Sequence, residues 1–152
     1  MTNEQNKDVI LRYWAAVNSK DAKAAAAFWA AKSINHGKER EHEEVENLHE
    51  SLAQVYEHIT VHEVLADGDW VACRITAEGR HRTQPPIPFD SGIYLLAKPD
   101  GRLFTFQHIH LFRLVDGKIK EHWANRDDLG PRSSWGWNWS PSEIRKRSER
   151  AF

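Results

Sequence analysis

The feature that most constrains this chain is a change of hydrophobic period close to residue 59. Before it, apolar residues recur at helical spacing; after it, they alternate. Val9, Ile10, Tyr13, Trp14 and Val17 fall on one face at intervals of three and four, which predicts a helix over residues 6–18. Asn18-Ser19-Lys20-Asp21 interrupts that pattern, and Asp21 is an expected N-cap for a second helix from Ala22 to about Lys32. Ser33 to Gly37 reads as an exit turn. A third helix is expected from Glu39 to His58, with Val45, Leu48, Leu52 and Val55 in one stripe. The period then becomes two. Strands are expected at Thr60–Ala66, Asp69–His81, Gly92–Ala97, Arg102–Val115 and Lys118–Asn125. Asp67-Gly68 and Asp116-Gly117 are hairpin signals between them. Helices followed by consecutive antiparallel strands give an α+β fold class and argue against a doubly wound nucleotide-binding fold.

A length of 152 residues fits one domain, with no repeat and no low-complexity linker to suggest a second. Lys plus Arg number 21 against 22 Asp plus Glu, so no general basic field is available to hold nucleic acid. The short run Arg145-Lys146-Arg147 is read as a solvated tail. Cys73 is the single cysteine; an intrachain disulfide is excluded, and a cytoplasmic setting is the expectation. No apolar run approaches the ~18 residues of a membrane span. Neither a P-loop nor a GxGxxG pattern occurs, and no GxSxG elbow suggests a serine nucleophile. Cys73 lies mid-strand, where it reads as an inert core thiol.

The stretch FTFQHIHLFRLVDGKIKEHWANRDDLG holds the densest set of chemistry-bearing residues. By a period of two, Ile119, Glu121, Trp123, Asn125 and Asp127 share a face, which Ile119 and Trp123 suggest is inward. A carboxylate at the mouth of an apolar pocket loses solvation, and its rising pKa suits it to general acid/base work. Capping of the turn before Leu129-Gly130-Pro131 is the alternative role of Asp127. On the neighbouring strand, His108 and His110 share a face with Phe104, Phe106 and Phe112. They read either as satisfied core residues or as pocket residues titrating in a useful range. Chelation of a metal by His108, His110 and Asp127 is disfavoured, because no further ligand is clearly placed. His81 continues the apolar row of the second strand, and Asn35-His36 follow the second helix.

These residues resemble a known family. DGKIKEHWANRDDLG is similar to the closing hairpin of SnoaL-like polyketide cyclases (ester cyclases), and HIHLFR resembles the GIHIFR strand before it. WVACRITAEGRH resembles the family strand V-x-x-R-x-T-x-x-G-x-H, and the likeness covers about residues 7–130. The resemblance implies a cone-shaped barrel of the nuclear-transport-factor-like type. In that fold a curved antiparallel sheet wraps around N-terminal helices and encloses a pocket. It implies a homodimer or homotetramer, no cofactor and no metal, and a small apolar or polycyclic carbonyl substrate. In the family an aspartate removes a proton between activated carbonyls, and the enolate closes a ring on an aldehyde by intramolecular aldol condensation. The resemblance assigns that acid/base role to Asp127. It assigns to His110 a hydrogen bond to the developing oxyanion. Asn35, His36, His81, Gln107, His108, Trp123 and Asn125 are the expected substrate-binding positions.

The chain departs from the family pattern at RTQPPIPFDS after His81 and again after Gly130. There Trp135, Trp137 and Trp139 are spaced by two, as a lid or a subunit interface would use them. Hydrolysis, epoxide opening, isomerisation and non-catalytic small-molecule binding stay open as alternatives, because fold alone does not set function.

Overall fold

The computed structural model describes residues 1–80, 101 and 103–127. The expected strand at Gly92–Ala97, His81 and the Trp135, Trp137, Trp139 cluster lie outside the described residues. The elements run α1 (Asn3–Asn18), α2 (Ala22–Ala26), β1 (Trp29–Asn35), β2 (Lys38–Glu41), α3 (His42–Val55), β3 (Tyr56–Asp67), β4 (Trp70–Arg80), β5 (Leu103–Val115) and β6 (Lys118–Arg126).

Helix α1 buries the apolar stripe that its spacing predicts: Val9, Ile10, Tyr13, Trp14 and Val17. Thr2 and Gln5 form a capping box at its start, satisfying two donors that a helix end would otherwise leave open. Two asparagines fasten it to the sheet. Asn6 donates from Nδ2 to the Gly68 carbonyl (2.8 Å). Asn18 bonds both backbone groups of Ile59, each at 2.8 Å.

Asp21 caps α2 as expected, accepting from the Ala24 N–H at 2.8 Å. The helix ends at Ala26 rather than near Lys32, and Trp29–Asn35 is a strand. The alanines favour a helix locally, but pairing outweighs that preference. β1 runs parallel to β6 and antiparallel to β2, so both its edges find backbone partners. His36 and Gly37 make the two-residue turn between β1 and β2 with φ of 50° and 77°, the two positive values that a type I′ turn needs. The expected third helix likewise yields residues at both ends to strands β2 and β3.

The six strands form one sheet in the order β2-β1-β6-β5-β4-β3. Among the described residues the edge strands β2 and β3 do not pair with each other, so the curved sheet of the expected α+β fold is unclosed. The inner face carries Val71, Cys73, Ile75 and Ala77 from β4, all buried. From β5 it carries Phe104, Phe106, His108, His110, Phe112 and Leu114. The Trp14 indole N–H reaches the Cys73 sulfur at 3.4 Å, and burial pushes that thiol up to about 11. Cys73 is therefore held as an unreactive thiol. The outer face exposes Leu65 at 68%, Ile109 at 60% and Trp123 at 41%, with Leu111 and Trp70 between them. Register aligns Leu65, Ala72, Leu111 and Trp123 across four neighbouring strands.

Candidate active site

Between the helices and the inner face lies a cavity of about 520 Å³, within the usual range for a small-molecule site. Tyr13 and Trp14 of α1, and Leu48, His49 and Leu52 of α3, form the helical wall. Trp29, Asn35 and His36 close one side. Tyr56, Ile59, Ile75 and Ala77 close the other, and His108, His110, His122, Ala124, Asn125 and Arg126 form the floor. Five imidazoles line one cavity, with no carboxylate among the described lining residues.

A β-bulge decides which residues of β6 face inward. Leu114 pairs with Ile119 but Arg113 pairs with Glu121, so Lys120 is an extra residue on β6. One added residue reverses the faces beyond it. Ile119 is buried as expected, but His122, Ala124 and Arg126 then point inward with it. Glu121, Trp123, Asn125 and Asp127 take the opposite alternation. The inward row that the period of two predicts is therefore corrected. Trp123 is on the outer face, where its indole N–H donates to Glu121 Oε1 at 2.8 Å. Asn125 is exposed and meets the cavity at its rim. Asp127 is exposed just past the end of β6, its N–H bonded to the Gln107 carbonyl at 2.9 Å, and it is not a lining residue. Gln107 is exposed on β5 by simple alternation.

His108, His110, Asn35 and His36, expected as site residues, are brought together at the cavity wall. His110 is held on two sides. Its ring stacks between His108 and Phe112, with centroids 5.3 Å and 5.8 Å away, and the Trp14 ring meets it edge-on. Its Nδ1 lies 2.9 Å from His122 Nε2, and His122 Nδ1 lies 2.9 Å from Asn35 Oδ1. The β1–β6 register that pairs Asn35 with His122 builds the second contact. Across β5 and β6 the residue opposite His110 is Ala124, which leaves room in front of the ring. The Nε2 atoms of His108 and His110 are buried without a hydrogen-bond partner.

Sequence reasoning missed two of the five cavity histidines, His122 and His49. The bulge hid His122. His49 was legible, since it lies one turn after Val45 and between Leu48 and Leu52 on the apolar face of α3. Its Nδ1 lies 2.7 Å from the Val45 carbonyl, so that nitrogen carries the proton; Nε2 then accepts from the Tyr13 hydroxyl at 3.1 Å.

Burial sets the charge state of the cluster. It lowers His122 to about 3, with the nearby His36 adding to the effect. It lowers His108 to about 3, helped by the Arg126 guanidinium. His110 is held well below the ordinary imidazole value for the same first reason, and His49 is lowered too. Burial also raises the Tyr13 phenol. At neutral pH these imidazoles are uncharged, each with one N–H and one lone pair. Such a set can move protons inside an apolar chamber. No group of three or more His, Cys, Asp or Glu among the described residues has the geometry to hold a metal ion.

The chain matches the sequence model of the SnoaL-like polyketide cyclases over residues 7–133. It is 36% identical over 78 residues to the aklanonic acid methyl ester cyclase AcmA of Streptomyces galilaeus, covering 51% of this chain and 48% of that one. The chain thus spans about half the length of the curated relatives it matches. Among solved structures, TsrD from Streptomyces laurentii superposes with a TM-score of 0.70 at 22% identity, covering 90% of this chain and 98% of that one. Wild-type IdmH from Streptomyces antibioticus gives 0.65 at 25% identity, with 88% and 99% covered. With its family's sequence pattern over most of its length and a fold shared with these structures, this chain belongs to the SnoaL-like polyketide cyclase family.

Proposed function

We propose that this protein is a cofactor-independent acid/base enzyme that closes a ring in a small, largely apolar carbonyl compound by intramolecular aldol condensation. A proton leaves a carbon between two carbonyls, the enolate carbon attacks a second carbonyl, and the new alkoxide takes a proton. The observation that carries this reading is the 520 Å³ cavity, with aromatic and aliphatic walls and buried, uncharged imidazoles in its floor. An apolar chamber strengthens each hydrogen bond to developing charge. The names of the curated relatives add weight, since each is an aklanonic acid methyl ester cyclase. The apolar stripe of the outer sheet face supports the homodimeric or homotetrameric assembly that the resemblance implies.

The resemblance names two catalytic residues, Asp127 as the acid/base and His110 as a hydrogen-bond donor to the oxyanion. Of these, His110 lines the cavity and Asp127 does not, so His110 is the group this reading favours. The test follows cyclisation of aklanonic acid methyl ester by the wild type, Asp127→Asn and His110→Gln. His110→Gln is expected to lower turnover by about 10²–10⁴-fold, and Asp127→Asn by much less. Loss of activity in Asp127→Asn with His110→Gln intact would return the acid/base role to the carboxylate. A wild type that converts neither this ester nor simpler 1,3-dicarbonyl aldehydes would remove the ring-closing reading.

A further inference from the structure

We propose that Arg126 is a specificity-determining residue of the cavity: it selects substrates that carry an ionised carboxyl group and anchors that group at the end of the floor farther from Asn35. This deepens the ring-closing reading by naming a substrate class, and it rests on that reading in calling the bound carboxylate a substrate.

The bulge at Lys120 that turns Asp127 outward turns Arg126 inward. Arg126 is the last residue of β6, stands opposite His108 in the β5–β6 register, and lines the cavity. The row continues into Ile75 of β4, and the next inward pair on β5 and β4 is Phe106 with Ala77. The guanidinium lies over the Phe106 ring, 5.0 Å from its centroid. Phe106 is fully buried on the inner face, so it fixes where the charged head lies. The charge is felt at His108, whose protonation it opposes.

Charge is scarce in this chamber. None of the described lining residues is Asp or Glu, and Arg126 is the permanent cation among them. His49, His108, His110 and His122 are uncharged at neutral pH. An anion entering such surroundings forfeits its hydration, a loss that only a paired and hydrogen-bonded charge repays. Arg126 supplies both. The N–H donors of a guanidinium lie in one plane and match the two oxygens of a carboxylate with parallel bonds. Packing against Phe106 pre-organises that fork and reduces the side-chain freedom lost on binding. A neutral ester offers neither the charge nor the matched pair of acceptors. A phosphate dianion would need a second cation, which the described lining does not hold.

The anchor also sets direction. His122 and Arg126 lie four residues apart on β6, about 13 Å of strand. His122 is bonded to Asn35 at the far end. A substrate held by its carboxylate beside His108 lays its carbonyl-bearing body past Ala124, toward His110 and His122. Selection by Arg126 is independent of which group moves the proton.

Aklanonic acid and its methyl ester are a matched pair of probes that differ only at the carboxyl group. Titration calorimetry of the full chain at neutral pH is expected to show the acid bound at least about tenfold more tightly than the ester. Arg126→Met keeps the length and apolar stem of the side chain, and is expected to bring the ratio of the two affinities to about one. Arg126→Lys keeps the charge without the fork, and is expected to retain a smaller preference for the acid. Equal affinities in the wild type, a preference for the ester, or binding of neither probe overturns the inference. So does a wild-type ratio that persists in Arg126→Met. The wild-type comparison needs no variant, so a misfolded Arg126→Met still leaves the inference open to refutation. Turnover separates the two readings. Acid that binds through Arg126 but is not cyclised removes ring closing and leaves the carboxylate site standing. Cyclisation of acid and ester with equal kcat/KM removes the selection and leaves ring closing.

Discussion

The cavity holds two imidazole chains built on one plan, and they differ at one end. In both, an oxygen that can only accept fixes a proton on Nδ1: the Val45 carbonyl for His49 and the Asn35 amide for His122. In the first chain the Tyr13 hydroxyl covers the remaining nitrogen. In the second the lone pair is passed on to His110, whose far nitrogen has no partner. The closed chain has the makeup of a structural fastener, since every polar atom in it is satisfied. The open chain keeps an unsatisfied buried acceptor, a cost that a purely structural role does not require. The two therefore respond differently to the same kinds of change.

The largest contrast is expected from Tyr13→Phe. It strips the donor from buried His49 Nε2 and is expected to cost about 1–3 kcal/mol in urea unfolding. No loss of stability would mean that the closed chain fastens nothing, and the comparison would collapse. Acid comes next. The buried imidazoles have folded pKa values below the unfolded value, so the unfolded chain binds more protons between the two. Their stabilising contribution is present above about pH 6.5 and is lost as pH falls toward about 3. The slope is at most about 1.4 kcal/mol per pH unit for each imidazole. Thermal midpoints recorded from pH 7 to 4 should fall accordingly; a flat profile would show that the cluster protonates freely in the folded state. The smallest effect is expected at His108. His108→Phe replaces an unsatisfied Nε2 beside Phe106 with apolar surface, and is expected to raise stability by about 1 kcal/mol. The same variant should shed one imidazole's share of the acid slope. A destabilised His108→Phe would mean that its nitrogen has a structural task.

Where the sequence was read correctly, local pattern and tertiary demand agreed. The five apolar residues of α1 are all buried, Asp21 caps α2, and β4 buries Val71, Cys73, Ile75 and Ala77 in strict alternation. Reading failed where a distant partner set the outcome. Trp29–Asn35 follows an alanine run and becomes a strand only because β6, nearly ninety positions later, supplies its ladder. The bulge at Lys120 has no turn residue or glycine to announce it, yet it exchanges the two faces of β6 and brings His122 into the cavity in place of Trp123. The histidines of β5 were legible by alternation, and the chemistry they share with Asn35 was not. That chemistry depends on register between strands far apart in sequence.

The parallel pairing of β1 with β6 has a kinetic consequence. Asn35 and His122 meet only after the chain has closed a loop of 87 residues, a contact of the long-range kind that forms late and slowly in folding. β1 also lies next to the short β2 at one margin of the sheet, in a register interrupted between Trp29 and Ile34. Margins of this kind open more readily than the centre of a fold. The Asn35–His122 contact thus depends on a long-range pairing at a margin of the sheet. Excursions that unzip β1 would switch His110 between a fixed and a free tautomer while the Phe106 and Phe112 core stays folded.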